Sequence, residues 1–219
     1  MSPRQYSSPL REAEAVRTRE RIVAAAGARF ARDGYVATTM KGIAEEAGVS
    51  VQSVHLAGSK SALLIAAFEL SFAGDEGTHS LSERPAMAEI MARESLEDVL
   101  TGWLDYVAAA NARTAGLSRA MVTAGETDEV AAAAVADLDA RRRRDMRVAA
   151  GWALSRGMLA AESVGQAADE ISFVIGPEAY DFFVTRAGWS QQQYREGIER
   201  GMRSLFHQWA DARRAGSED

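Results

Sequence analysis

Apolar residues recur along most of this chain three and four positions apart, and no stretch alternates with period two. That pattern predicts helices and no strand. It is sharpest between Thr38 and Lys60. Met40, Ile43, Ala44 and Ala47 fall at i, i+3, i+4 and i+7, one apolar face of a helix. Thr38 and Thr39 precede that face and offer oxygens to its free N–H groups. Gly48 follows Ala47 and stops the helix, because glycine tolerates positive φ. Ser50 offers a hydroxyl to start a second helix, with Val54 facing in and Val51, Gln52, Ser53 and His55 facing out. Two short helices joined by a tight glycine turn predict a helix-turn-helix. A short helix with polar side chains on its free face has the shape that enters a DNA major groove.

The same periodicity divides the rest of the chain. A first helix is predicted over about 13–33, with Ile22, Ala26 and Phe30 on one line. A helix from Lys60 to about Phe72 carries Leu64, Phe68 and Phe72. After it come a loop at 73–83 and a short helix at about 84–92 begun by Pro85. Ser95 is expected to cap the next helix, which has Glu97 and Asp98 in its first turn. Its apolar face is Leu96, Val99, Leu100, Trp103 and Val107, with Tyr106 on the flank. Gly116 and Gly125 are expected to bracket a separate segment, and Thr127 to cap a long helix reaching about Arg156. Gly165 and Gly176-Pro177 divide the next part of the chain into helices at about 166–175 and 177–187. Ser190 and Gln193 predict a capping box, with Trp189 and Tyr194 as a hydrophobic staple, at the head of a last helix to about Arg213. The fold class expected is all-α, with about ten helices.

Composition changes this picture in one respect. The net charge of −6 argues against a nucleic-acid partner until the charge is located. Residues 1–60 hold nine Lys and Arg against six Asp and Glu, a balance of +3, whereas residues 61–219 carry −9. Nucleic-acid binding depends on the local face rather than the total, so this suits a basic reading head on an acidic body. Residues 1–12 lack periodicity and read as an arm whose Arg4 and Arg11 are candidates for a DNA backbone or minor-groove contact. The chain has no cysteine, no apolar run of eighteen residues and no hydrophobic N-terminal segment. It is therefore expected to lack disulfides, membrane spans and a secretory signal, as in a cytoplasmic protein.

The pieces RIVAAAGARFARDGY, TTMKGIAEEAGVS and SKSALL, between Arg19 and Leu64, resemble the DNA-binding domain of the tetracycline-repressor (TetR) family of bacterial transcription regulators. The resemblance covers about a fifth of the chain. Two positions depart from it: His55 stands where the family usually has a phosphate-contacting Tyr, and Ala57 where it usually has Phe. The resemblance implies a three-helix reading domain over 13–59 and a larger helical domain over 60–215 that dimerises and holds a small-molecule effector. It implies a homodimeric repressor on a near-palindromic operator, released when the effector shifts the helix that begins at Lys60. Candidate DNA contacts are Thr38, Thr39, Lys41, Ser50, Val51, Gln52, Ser53, His55 and Lys60. Gln52 is the candidate base reader, because a Gln amide pairs with adenine through two hydrogen bonds. Thr38, Thr39 and Lys60 lie at helix starts and suit phosphates.

Candidate effector contacts are Trp103, Tyr106, Met121, Trp152 and Phe173, since pockets in helical bundles are mostly apolar with a few polar groups. The resemblance places the last helices at a dimer interface, with Tyr180, Phe183, Ile198, Met202 and Phe206 as candidates. The competing reading is a DNA-binding dimer with no effector, which a body without a cavity would favour. An enzyme has less support. His55, His79 and His207 share no ligand spacing, and no phosphate loop, nucleophile elbow or His-Glu-x-x-His sequence is present. No cofactor and no metal are expected. The run Arg141–Arg144 reads as a solvated face, because Asp137 and Asp139 lie four residues before Arg141 and Arg143.

Overall fold

The computed structural model describes residues 9–73 and 84–216. Among these the chain is helical, with no strand. The α-helices are α1 (Pro9–Ala37), α2 (Met40–Ala47), α3 (Val51–Ala57), α4 (Lys60–Ala73), α5 (Pro85–Met91), α6 (Leu96–Thr127), α7 (Glu129–Ser155), α8 (Val164–Ile175), α9 (Pro177–Tyr180) and α10 (Gln191–Gly216). A π-helical turn, Asp181–Arg186, continues α9. The expected loop at 73–83 and the arm at 1–12 fall largely outside the described residues.

The chain divides into two compact units. The first takes Met1–Leu70 with Gly116–Val135, and the second takes Ser71–Ala115 with Ala136–Asp219. This differs from a boundary at Lys60: most of α4 and the α6–α7 hairpin tip pack with the N-terminal helices.

In the first unit, Ile22, Ala26 and Phe30 of α1 are buried as the spacing predicted, together with Ile43, Ala44 and Ala47 of α2 and Val54 of α3. Gly34 has φ 78, which interrupts α1 and leads the chain into Tyr35, whose ring stacks on Phe30 at 5.8 Å. Gly116 does not end a helix; α6 runs through it without a break. Its missing Cβ serves close approach instead, because a Cβ there would lie 2.9 Å from the Ala31 Cα and carbonyl oxygen. Asp128, not Thr127, caps α7: its Oδ1 accepts from the N–H groups of Val130 at 2.9 Å and Ala131 at 3.0 Å.

In the second unit, α5, α6, α7, α8 and α10 surround one apolar core that holds Leu104, Met146, Ile171, Tyr194 and Met202. Ser95 caps α6, accepting from the Asp98 N–H at 3.3 Å. Ser190 and Gln193 form the expected reciprocal box at α10: Oγ of Ser190 accepts from the Gln193 N–H at 3.1 Å, and Oε1 of Gln193 accepts from the Ser190 N–H at 2.8 Å. Trp189 stacks on Phe183 at 4.3 Å, while Tyr194 meets Tyr180 edge to face at 4.9 Å. Asn111, 2% exposed, joins α6 to two other elements by donating to the Ile175 carbonyl and the Tyr194 hydroxyl, both at 2.9 Å.

Candidate functional site

The reading head is fixed by caps at both short helices. Thr39 has extended backbone, and its Oγ1 accepts from the Gly42 N–H at 3.0 Å. Gly48 closes α2 at φ 65, where a Cβ would be strained. Ser50 caps α3, accepting from the Ser53 N–H at 3.1 Å, and the two serine hydroxyls lie 2.9 Å apart. Two ion pairs brace α2 on α1, Arg29 to Glu46 at 2.7 Å and Arg32 to Glu46 at 3.1 Å, and Arg29 also pairs with Asp33 within α1 at 3.7 Å. The hydrogen bond from Arg32 holds the Glu46 carboxyl below the usual carboxylate range. Glu45 faces Lys41 at 3.8 Å on the exposed side of α2.

Beneath α3, Arg19 spans from α1 to donate to the Ala57 carbonyl at 2.5 Å. A cation at a helix C-terminus is favourably placed against the dipole. This bond ties α1 to the end of α3 at the position where the family usually has an aromatic ring.

The candidate DNA contacts separate by exposure. Val51, Gln52 and His55 stand on the open face of α3, and Thr39 and Lys41 are exposed at the start of α2. Ser50 is exposed and Ser53 half-buried, each hydroxyl engaged with the other. Thr38 is corrected: it is 1% exposed, and its hydroxyl donates to the Gly34 carbonyl at 2.7 Å, so it faces no phosphate. Leu56, which polar-face reasoning passed over, is 82% exposed on α3.

Lys60 is half-buried. Its ammonium sits 4.3 Å over the Tyr35 ring centroid and 3.4 Å from the Val36 carbonyl. The Tyr35 hydroxyl donates to Oδ2 of Asp128 at 2.6 Å, so one carboxylate both caps α7 and holds the head's aromatic. Burial and then the Asp128 hydrogen bond push the Tyr35 hydroxyl well above its ordinary value. That same bond, with the α7 N–H groups, lowers Asp128. Burial lowers Lys60 despite the nearby Asp128 charge.

The second unit contains a cavity of about 50 Å³. Trp103, Trp152, Met87, Met91, Met146 and Phe206 contribute to its wall, with Asp145 as the one charged residue of the lining. Two of the five candidate effector residues, Trp103 and Trp152, line this cavity. Tyr106 is half-buried, with its hydroxyl 3.5 Å from the Phe72 carbonyl. Met121 is corrected, because it is buried in the first unit's core. Phe173 is corrected as well, because it is 83% exposed on α8.

The candidate interface residues also redistribute. Tyr180, Ile198 and Met202 are buried in the second unit's own core and offer nothing to a second copy. Phe183 and Phe206 are half-buried against it, Phe206 within the cavity wall. Among the described aromatics, Phe173 and Phe182 face out.

A capped pair of short helices, braced on a longer one and presenting a second helix with an open outer face, is a helix-turn-helix DNA-binding domain. A family model described as "Bacterial regulatory proteins, tetR family" matches residues 22–67. The matched residues span the helix-turn-helix, which is similar to this family's DNA-binding domain and supports a DNA-binding transcription regulator. No curated protein matches the chain in sequence. Among the described residues, no helix is long and apolar enough to cross a membrane, and no group of three or more His, Asp and Glu could hold a metal ion.

Proposed function

We propose that this regulator is a homodimeric, ligand-responsive repressor in the cytoplasm. Two copies of α3 enter successive major grooves of a near-palindromic operator, and a small apolar effector held in the second unit releases them. The observation that carries the reading is the open face of α3, held by the Ser50 cap and the Arg19 brace. Gln52 meets a base edge, and Thr39, Lys41 and His55 meet phosphates. Lys60 reaches a phosphate only by leaving its seat on Tyr35. The exposed Phe173 and Phe182 are the surface offered to the second copy. Trp103 and Trp152 flank the effector, and the flexible Met87, Met91 and Met146 give way to admit it.

The size of the cavity favours a second reading. A space of about 50 Å³ holds a water or two and not a drug-sized molecule. If the methionines do not yield, the second unit only dimerises, and the regulator works without an effector. The deciding experiment selects an operator from random DNA and measures binding by fluorescence anisotropy with and without a panel of apolar and aromatic compounds. An effector must weaken operator binding, and the operator must weaken effector binding by the same factor. Compounds that bind tightly and leave DNA affinity unchanged support the second reading. Absence of any selected sequence refutes both.

A further inference from the structure

The outer face of α3 is half apolar. Val54 is fully buried, which turns Val51, Gln52, His55 and Leu56 outward. Gln52 and Leu56 are four apart and share one side of the helix. Ser50 and Ser53 engage each other at the N-terminus. What remains for a DNA groove is one amide and one imidazole, bracketed by Val51, 40% exposed, and Leu56, 82% exposed.

A single exposed leucine needs no explanation on an ordinary surface. On a reading helix its chemistry is restrictive. Base edges in the major groove present hydrogen-bond donors and acceptors, and the one apolar feature among them is the thymine C5-methyl. A leucine pressed on any other edge strips water from polar groups and returns no hydrogen bond.

We infer that Leu56 is a specificity-determining residue that reads a thymine methyl in each half-site. The inference rests on α3 being the reading helix, as proposed above. Four residues of helix advance about 6 Å, and one base-pair step is about 3.4 Å. The thymine therefore lies about two base pairs from the base that Gln52 meets.

The test replaces each thymine of the selected operator by deoxyuridine, one position at a time, which removes the methyl and keeps the base pair. Full-length protein should lose about fourfold in affinity at one position per half-site, the worth of one buried methyl. Leu56→Ala, which removes the contact from both half-sites, should bind the parent operator about sixteenfold more weakly and no longer distinguish thymine from deoxyuridine there. Leu56→Met, which keeps the apolar reach, should retain the distinction. Gln52→Ala should keep the methyl effect and lose preference at its own base pair. The inference is overturned if no deoxyuridine position matters, or if Leu56→Ala stays as sensitive as the parent. If Gln52→Ala and Leu56→Ala both leave every base preference intact, α3 is not the reader, and the function proposed above fails with it. Leu56 is exposed, so Leu56→Ala should unfold at the parent temperature, which separates lost reading from lost folding.

Discussion

The two units treat their large apolar side chains in opposite ways. The first leaves Leu56 in water on a helix held by its Ser50 cap and by the Arg19 bond to the Ala57 carbonyl. The second draws Tyr180, Tyr194, Ile198 and Met202 inward and leaves Phe173 and Phe182 outside. An apolar residue marks a partner surface only where its own unit has not already used it. Sequence periodicity shows which residues share a face, but not which of two faces meets the core.

The largest expected effect tests the inward half of this contrast. Met202 has no exposure, so Met202→Ala should cost about 2–5 kcal/mol in urea denaturation, as buried large-to-small changes do. The loss should not depend on protein concentration, because the side chain packs within one copy. Phe173→Ala should leave denaturation at low micromolar concentration within about 0.5 kcal/mol of the parent and loosen a dimer instead. A Met202→Ala protein that stays stable but becomes monomeric in light scattering would reverse the two assignments.

Gly116 comes next and lies in the first unit. A Cβ at this position meets backbone of Ala31 at 2.9 Å, which no rotamer change relieves. Gly116→Ala should cost about 1–3 kcal/mol, the range for overpacking. Gly125→Ala, whose nearest neighbour is 4.0 Å away, should be neutral or mildly stabilising within its helix. Equal effects at the two sites would mean that Gly116 is not held by close approach.

Gln52 tests the outward half. Gln52→Ala should remove about 1–3 kcal/mol of discrimination at one base pair per half-site and leave the salt dependence nearly intact. A flatter salt dependence with base preference retained would place Gln52 on a phosphate.

The helix-turn-helix was readable because its signals are local. A cap needs an oxygen two or three residues before its N–H, and a helix stop needs one glycine, so Thr39, Gly48 and Ser50 declare themselves. The box at Ser190 and Gln193 was readable for the same reason. What escaped depends on residues far apart in the chain. Gly116 looks like a breaker until Ala31 is brought against it. Thr38 looks like a second cap until the turn at Gly34 supplies a nearer acceptor for its hydroxyl. Ile198 and Met202 look like an interface because apolar spacing is the same whether a helix meets its own core or a copy. Leu56 had a signal in the sequence, an apolar residue one turn beyond Gln52. Attention to polar side chains on the reading face passed over it.

The smallest expected effect concerns the one carboxylate that serves two elements of the first unit. Asp128 caps α7 through Oδ1 and accepts the Tyr35 hydroxyl through Oδ2. Tyr35→Phe removes the hydrogen bond to Asp128, keeps the ring under Lys60, and should cost about 1 kcal/mol. Asp128→Asn keeps acceptor oxygen and removes the charge. The Asp128 carboxyl is held below its ordinary value first by the Tyr35 hydroxyl and then by the Ala131 N–H. A lowered folded value means that the ionised form contributes stability, fully so above the unfolded value near 4. That contribution fades as pH falls below about 4 and the carboxylate takes a proton. The stability gap between the parent and Asp128→Asn should thus be constant from about pH 7 to 5 and shrink below 4, measured by urea denaturation across that range. Tyr35→Phe should shrink in step, because the proton that neutralises Asp128 also weakens the bond from Tyr35. A gap unchanged down to pH 3 would show that Asp128 holds the two elements by shape alone. The hairpin tip would then be bound to the head as the second unit's core is bound, by packing and not by charge.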